Sequence, residues 1–198
     1  APVKRNYSIS CAPNDETYRI TVKREAQGLA SGWLHDNARP GMVLKVGAPA
    51  GDFFLSEEPQ SPVVLLSGGV GLTPMVSMLE AIVARHPETE VHYVHGAHDA
   101  ETHAMGDHVR HLTAAHPRAR STVFYEMIAA NDAGNFDHQG VISGAWLTEH
   151  TPVQEADYYL CGPRPFLRAL VLDLQTAGVS ADRIHYEFFG PADESLAA

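Results

Sequence analysis

A run of glycines between an apolar stretch and a helical stretch most constrains how this chain folds. Residues 68–75 read Gly-Gly-Val-Gly-Leu-Thr-Pro-Met, after the apolar run 63–66 and before an amphipathic stretch that extends to Val83. This order predicts a buried strand, a tight turn and a helix, with Thr73 as the helix cap and Pro74 in the first turn. Glycine lets the backbone approach a ligand closely, and free amides at a helix start attract anions, so the turn is a candidate phosphate cradle. The alternative is a plain tight turn without a ligand.

Strands and helices alternate from Pro62 onward, which predicts a parallel sheet covered by helices on both faces. The predicted strands are 63–67, 91–95, 121–126, 158–161 and 184–188. The predicted helices are 74–84, 104–115, 145–150 and 165–177, with Gly178 closing the last. Residues 128–138 are expected to form a flexible loop. Such sheets bind ligands at the carboxyl ends of their strands, where both the glycine turn and Cys161-Gly162-Pro163 are expected to lie.

Short β-rich segments broken by turn sequences occupy residues 5–55. The segments are 7–10, 18–24 and 42–46. They predict part of an antiparallel sheet or barrel, interrupted by one short helix. Ser31 is the expected cap of that helix, and Trp33 and Leu34 are expected on its apolar side.

Two features of the sequence suggest how the chain is divided. Residues 56–62 are polar and carry two prolines, which is typical of a linker, and they predict domains at 1–58 and 59–198. Position 1 is not a methionine, so we expect the chain to be part of a longer one.

Charge and composition exclude several classes of function. The chain has 24 acidic and 14 basic side chains, and a formal net charge of −10 disfavours partners such as nucleic acid or anionic lipid. No run of about 18 apolar residues and no secretory signal occurs, so no membrane partner is predicted. Cys11 and Cys161 are the only cysteines and lie far apart, which predicts no disulfide framework and a reducing, cytoplasmic location.

Six motifs follow one another in order along almost the whole chain. They are residues 5–8, 28–36, 48–53, 68–74, 159–163 and 185–191. Together they resemble the ferredoxin-reductase superfamily, and most closely the reductase half of bacterial flavohaemoglobins, the nitric oxide dioxygenases. The resemblance implies an α/β fold in which a partial antiparallel β-barrel that binds FAD precedes a doubly wound parallel sheet that binds NAD(P)H. Electrons would pass from NAD(P)H through FAD to the haem of a globin domain, which supports nitric oxide dioxygenation in the parent protein.

The resemblance also implies the residues that bind the two cofactors. Arg5 and the helix start at Ala30 would bind the FAD pyrophosphate, while Tyr7 would pack on the flavin and Ser8 would reach a ring nitrogen. The alternative for residues 5–8 is an ordinary edge strand. The expected catalytic residues are Tyr7, Ser8 and Glu187. The expected cofactor-binding residues are Arg5, Asn6, Tyr7, Ser8, Ala30, Ser31, Gly68, Gly69, Val70, Gly71, Leu72, Thr73, Pro74, Cys161, Gly162, Pro163, Phe188, Phe189, Gly190 and Pro191.

The last strand and its neighbour supply the remaining expected contacts. Phe189 is expected to cover the flavin while Phe188 packs into the sheet, because strand side chains alternate between faces. Core packing is the alternative for both rings. Cys161 would lie near the nicotinamide, with an inert buried thiol. Hydride transfer requires no side-chain acid or nucleophile, so the protein is expected to orient two stacked rings.

Coenzyme choice and metal binding are the last questions that the sequence addresses. His98 stands where the family commonly has an arginine, which favours NADH over NADPH. Six of the 12 histidines lie between residues 92 and 111, but their spacings mix strand and helix periods, so no metal site is predicted.

The preceding barrel strands and the haem-binding globin domain of the family have no counterpart in these residues. Three explanations stay open: a fragment of a longer protein, which we favour, a truncated gene product, or a barrel completed by another chain. Two other functions also stay open. One is a stand-alone flavin reductase that feeds an iron–sulfur or haem partner, and the other is a non-catalytic nucleotide-binding module.

Overall fold

The computed structural model describes residues 3–130 and 132–189. Gly190 and Pro191, two of the expected cofactor contacts, lie outside the described residues. The strands are β1 Val63–Gly68, β2 Val91–Ala97, β3 Ala119–Tyr125, β4 His138–Gln139, β5 Asp157–Gly162 and β6 Ile184–Phe188. The α-helices are α1 Leu29–Asn37, α2 Leu72–Arg85, α3 Gly106–Ala114, α4 Gly144–His150 and α5 Arg164–Thr176.

The six strands form one parallel sheet in the order β4-β3-β2-β1-β5-β6. The chain runs outward from β1 to β4 and then crosses to the other side of β1 to form β5 and β6. Strand order therefore reverses between β1 and β5, and a crevice at such a switch point is where doubly wound sheets bind ligands. The predicted doubly wound sheet is confirmed.

Every residue of β1 is buried, because helices cover both faces of the sheet. Leu65 belongs to a core cluster with Met75 and Leu79 of α2. Leu66, the next residue along the strand, belongs to a second cluster with Leu167 of α5. The period-two alternation of the strand thus supplies both cores and holds β1 at the centre of the sheet.

Both predicted helix caps are wrong, because glycines occupy those positions. Thr73 lies inside the first turn of α2, where its hydroxyl donates to the Val70 carbonyl at 3.2 Å, and Gly71 is the cap residue. Ser31 likewise lies inside α1, after the cap residue Gly28. A Cβ on either glycine would come within 2.3 Å of another atom, so close packing rather than side-chain capping decides where each helix begins.

The expected loop 128–138 also needs a correction, because His138 begins the short strand β4. His138 pairs with Phe124 and Gln139 with Tyr125 at the edge of the sheet. Two residues are too few to produce a periodic pattern, which explains why the sequence does not predict this strand.

Residues 3–62 contain α1 and one isolated antiparallel bridge between Ile9 and Ile20. No ladder forms within the segments 18–24 and 42–46 in the described part of the chain, and Val43 and Val46 are exposed. A strand requires a hydrogen-bonding neighbour, so the partial barrel stays a prediction. Within the described residues, no helix combines the length and apolar character that spanning a bilayer requires.

Candidate functional site

The glycine turn after β1 packs its backbone directly against the end of β5. A Cβ on Gly71 would lie 2.1 Å from the Cys161 carbonyl oxygen, and one on Gly162 would lie 3.2 Å from the Gly68 nitrogen. Gly69 has a φ of +53°, and nothing lies within 4 Å of its Cβ position. The turn is therefore closely packed on its protein side and open at Gly69, as an anion-binding turn requires.

Cys161 lies at the carboxyl end of β5, beside this turn, and is fully buried. Burial raises the pKa of its thiol well above the ordinary value, and the neighbouring Glu187 carboxylate raises it further. The thiol is therefore protonated and poorly reactive at neutral pH. This agrees with the expectation of an inert buried thiol.

The N-terminal segment joins the sheet at the same place. The Ser8 hydroxyl donates a hydrogen bond of 3.2 Å to the Glu187 carboxylate, and Glu187 pairs with Cys161 in the register of β5 and β6. Burial raises the pKa of Glu187, and the Ser8 hydrogen bond partly opposes that rise. The contact therefore brings Ser8 and Glu187, two of the three expected catalytic residues, to the ligand edge of the sheet.

The expected pyrophosphate-binding residues line one cleft of about 320 Å³. Arg5, Asn6 and Tyr7 form one wall, and the first turn of α1, including Ala30 and Ser31, forms the other. The cleft thus presents a guanidinium and the free amides of a helix start to the same volume, and both groups favour an anion. Glu25 and Gln27 also line it, and the sequence analysis missed them.

Phe188 and Phe189 lie on opposite faces of the sheet, as strand alternation predicts. Phe188 packs against the α5 core, with the Arg164 guanidinium 5.5 Å from its ring centroid. Phe189 packs against the other cluster, which also contains Cys161 and Tyr159. It is half-buried, so part of its ring is accessible to a ligand.

The region expected to read the coenzyme's ribose lies at the ends of β2 and β3. His98 Nδ1 lies 3.3 Å from the Glu126 carboxylate, and both side chains are exposed. The Asp99 side chain accepts hydrogen bonds from Thr102, which lower the pKa of the Asp99 carboxyl. This end of the sheet therefore carries two carboxylates, those of Asp99 and Glu126. No cluster of metal-ligating side chains occurs there or elsewhere among the described residues.

Two buried side chains at this edge escaped the sequence analysis as a pair. Ser67, the residue before Gly68, hydrogen-bonds His95 Nδ1 at 2.8 Å, and neither side chain is exposed. His95 shares a strand face with Val91 and Tyr93 of β2, a period-two pattern that could have revealed its burial.

The reversed strand order and the glycine turn at the switch point define a dinucleotide-binding α/β domain. Residues 65–171 match the family described as the oxidoreductase NAD-binding domain. The chain is 55% identical over 197 residues to a flavohemoprotein of Xylella fastidiosa (strain 9a5c), covering 99% of this chain and 49% of that protein. It thus spans about half the length of the curated relatives it matches.

Solved structures agree with this assignment. The flavohaemoglobin-like FAD/NAD-binding domain of nitric oxide dioxygenase from Vibrio cholerae O1 biovar El Tor superposes with a TM-score of 0.81 and 38% identity, covering 94% of this chain and 77% of that one. Flavohemoglobin from Malassezia yamatoensis superposes with a TM-score of 0.72 and 25% identity, covering 93% and 47%. The chain belongs to the flavohaemoglobin-like FAD/NAD-binding domains of the oxidoreductase NAD-binding family, and the resemblance seen in the sequence is confirmed.

The site's own geometry fits both nucleotides of that family. The glycine turn has an open backbone at Gly69 where a pyrophosphate would approach, and its closed side rests on β5. The cleft beside α1 supplies the Arg5 cation and helix amides for a second pyrophosphate. Ser8 of the N-terminal segment meets Glu187 near the end of β6, at the edge of the sheet that also carries the glycine turn.

Proposed function

We propose that this chain is the reductase part of a flavohaemoglobin, an FAD-dependent NAD(P)H oxidoreductase that delivers electrons to a haem-globin domain of the same parent chain. In that parent protein the electrons would support conversion of nitric oxide and O₂ to nitrate. The hydrogen bond between Ser8 and Glu187 carries the proposal. It joins the N-terminal flavin segment to the strand end beside Cys161, where the nicotinamide would lie.

Each part of the chain would have a distinct task in this reaction. Arg5 and the first turn of α1 would hold the FAD pyrophosphate, and the turn from Gly68 to Gly71 would hold that of NAD(P)H. Tyr7 and Phe189 would orient the flavin ring between them. When bound, the two cofactors supply the hydride and electron transfer.

Ser8 and Glu187 would act on the flavin environment rather than as nucleophile or base. The Ser8 hydroxyl holds the Glu187 carboxyl group in place, and burial raises the pKa of Glu187, so this pair would set the hydrogen bonding and polarity near the ring. Gly162 lets the glycine turn pack directly on the end of β5, since a Cβ there would lie 2.9 Å from the Phe166 ring and 3.2 Å from the Gly68 nitrogen. The protein would thus supply orientation and local polarity.

We also propose the organisation and location of the module. Residues 1–58 would complete a flavin-binding barrel with strands supplied by the parent chain, and residues 59–198 form the coenzyme domain. Nothing in its charge favours nucleic acid or anionic lipid as a partner. Cys11 and Cys161 are both free, which supports a reducing cytoplasm.

The proposal predicts a yellow protein whose flavin absorbance bleaches when NADH is added. Absorption spectra of the purified full-length protein under anaerobic conditions would measure this, followed by recovery of the colour on admission of oxidant. A colourless protein that still binds NADH would contradict the proposal and favour a non-catalytic nucleotide-binding module. A yellow, bleachable protein without bound haem would favour a stand-alone flavin reductase.

The carboxylates at the ends of β2 and β3 predict a preference for NADH. A 2′-phosphate would meet Asp99 and Glu126, so we expect kcat/KM to favour NADH by at least about tenfold. Changing His98→Arg adds a fixed positive charge that can bind the 2′-phosphate. The ratio of kcat/KM for NADH to kcat/KM for NADPH should therefore fall by about tenfold. Steady-state kinetics with both coenzymes would measure it.

His111→Arg is the matched control for this charge. It adds the same guanidinium at an exposed position on α3 and should leave the coenzyme ratio unchanged. A wild-type preference for NADPH would refute the expectation. It would also be refuted if H98R and wild type had the same ratio of kcat/KM for the two coenzymes.

A further inference from the structure

A connected set of buried and half-buried polar side chains lies beneath the coenzyme edge of the sheet. Ser67 Oγ lies 2.8 Å from His95 Nδ1, and the His95 ring lies 4.8 Å from that of His103, at 32°. His103 Nδ1 in turn lies 2.8 Å from the Tyr125 hydroxyl. The set therefore links the ends of β1, β2 and β3 to the segment that leads into α3.

These histidines are neutral and incompletely hydrogen-bonded. Burial lowers the pKa of His95 to about 3, with a further contribution from His103, and burial also lowers the pKa of His103. The Nε2 atoms of both rings are buried and have no hydrogen-bond partner among the described residues. A buried unpartnered nitrogen destabilises the fold, but leucine at position 95 would in turn leave the buried Ser67 hydroxyl without its partner, so we expect the two effects on stability nearly to cancel.

The set connects the two pieces of backbone that a dinucleotide would contact. Ser67 directly precedes Gly68, where the glycine turn begins. His103 belongs to residues 98–105, which follow β2 and would face the adenosine half of the coenzyme. That segment is held tightly, since Met105 has a φ of +60° and a Cβ on Gly106 would lie 2.9 Å from the His103 ring.

A left-handed methionine is costly and persists only where the surrounding contacts fix the backbone. Met105 contributes by packing against the core cluster on the α2 face of the sheet. The His103 ring, hydrogen-bonded to Tyr125 and in tilted contact with the His95 ring, is the other fixed point of this segment. The Ser67–His95 and His103–Tyr125 hydrogen bonds are directional whereas apolar contacts are not, and the planar His95 ring supports that of His103. Leucine at position 95 would supply neither the hydrogen bond nor the ring.

We propose that His95 is a positioning residue for the coenzyme, which aligns the glycine turn through Ser67 and the adenosine-facing segment 98–105 through His103. The proposal rests on the proposed function, because it assumes that a dinucleotide binds at this edge. It concerns the ADP-ribose half of the ligand and not the transfer of electrons. Its consequence is that making His95 apolar weakens coenzyme binding while leaving the stability of the fold almost unchanged.

Titration of the purified protein with NADH and with ADP-ribose, combined with thermal unfolding, tests this. His95→Leu should weaken the binding of both ligands by the same factor, about tenfold, while the melting temperature stays within about 4 °C of wild type. His95→Asn keeps a polar atom near the position of Nδ1 and should return both affinities to within about threefold of wild type. The matched control His111→Leu, on the exposed face of α3, should leave the affinity for both ligands unchanged.

Ser67→Ala provides a second route to the same answer. It removes the hydroxyl without disturbing the packing of the histidine rings, and we expect the binding of NADH and of ADP-ribose to weaken by about threefold. If H95L does not fold, wild-type affinity in folded S67A overturns the positioning role. In folded H95L, wild-type affinity for both ligands overturns the positioning role. A loss of binding that comes with a lower melting temperature, where H95N restores neither, overturns it as well. A wild-type protein that binds neither ligand overturns the proposed function and the positioning role together.

Discussion

Replacing Gly71 with alanine is expected to cost the protein both stability and its dinucleotide site. Gly71 has helical dihedral angles of −60° and −8°, which alanine adopts freely, so backbone strain is not the reason. The reason is space, because the added Cβ would lie 2.1 Å from the Cys161 carbonyl oxygen and 2.7 Å from the Gly162 nitrogen. Both are backbone atoms, and no side chain can rotate away to relieve the clash.

The glycine turn or the end of β5 must therefore shift, and both belong to the expected coenzyme site. We expect the free energy of unfolding to fall by about 3 kcal/mol, which lowers the melting temperature by about 6–12 °C. A displacement of this size should weaken NADH binding by at least about tenfold, because the amides of the glycine turn would no longer face the pyrophosphate. Thermal unfolding and NADH titration would measure the two effects.

Gly47→Ala is the control for the loss of a glycine. Nothing lies within 4 Å of its Cβ position, and its φ is not positive, so both measurements should match wild type. Wild-type stability and NADH affinity in G71A would mean that the turn moves without cost and that its amides do not bind the coenzyme.

The sheet could be predicted because its strands are buried on both faces. Parallel strands of this kind produce short apolar runs, and the prediction of 63–67 differs from Val63–Gly68 by one residue. The helix caps could not be predicted by residue type, because the preference of serine and threonine for that position yields to packing. At Gly28 and Gly71 a neighbour lies too close for any side chain.

The candidate site depends on contacts between residues that are far apart in the sequence. Ser8 and Glu187 are 179 positions apart, and no local pattern relates them. The resemblance assigned both to the flavin, while the structure adds the hydrogen bond that joins them. The period-two pattern with Val91 and Tyr93 indicates that His95 is buried, but its contact with Ser67 depends on the register of the neighbouring strand, which no local pattern shows.

Glu80 of α2 holds the N-terminal segment against the coenzyme domain. Its carboxylate accepts hydrogen bonds from Arg19 at 2.5 Å and from the Ala12 amide at 2.7 Å, and His108 Nε2 lies 2.6 Å from it. Burial opposes ionisation of Glu80, but the hydrogen bonds from Arg19, Ala12 and His108 outweigh it and lower the pKa below its ordinary value of 4.5. One side chain thus joins the N-terminal segment to α2 and α3.

Glu80→Gln should therefore destabilise the protein, because its NH₂ group would face groups that donate to the carboxylate. Breaking a fully buried pair costs about 3–5 kcal/mol; with 40% of the Arg19 side chain exposed, we expect about 2 kcal/mol and a melting temperature lower by about 4–8 °C. Trypsin should also cut faster at Lys23 and Arg24. Glu90→Gln is the control, since its carboxylate faces two arginines at 3.7 and 3.9 Å in a more exposed position, and its loss should cost under about 1 kcal/mol.

The effect of E80Q should also depend on pH in a defined direction. Because folding lowers the pKa of Glu80, its contribution is fully present above 4.5 and is lost as the pH falls through the lower folded value. The difference in melting temperature between wild type and E80Q should therefore be largest near neutral pH and shrink towards pH 3. A difference that stays constant over that range would mean that Glu80 acts through its shape and packing, and a variant as stable as wild type at pH 7 would mean that the segment is held by other contacts.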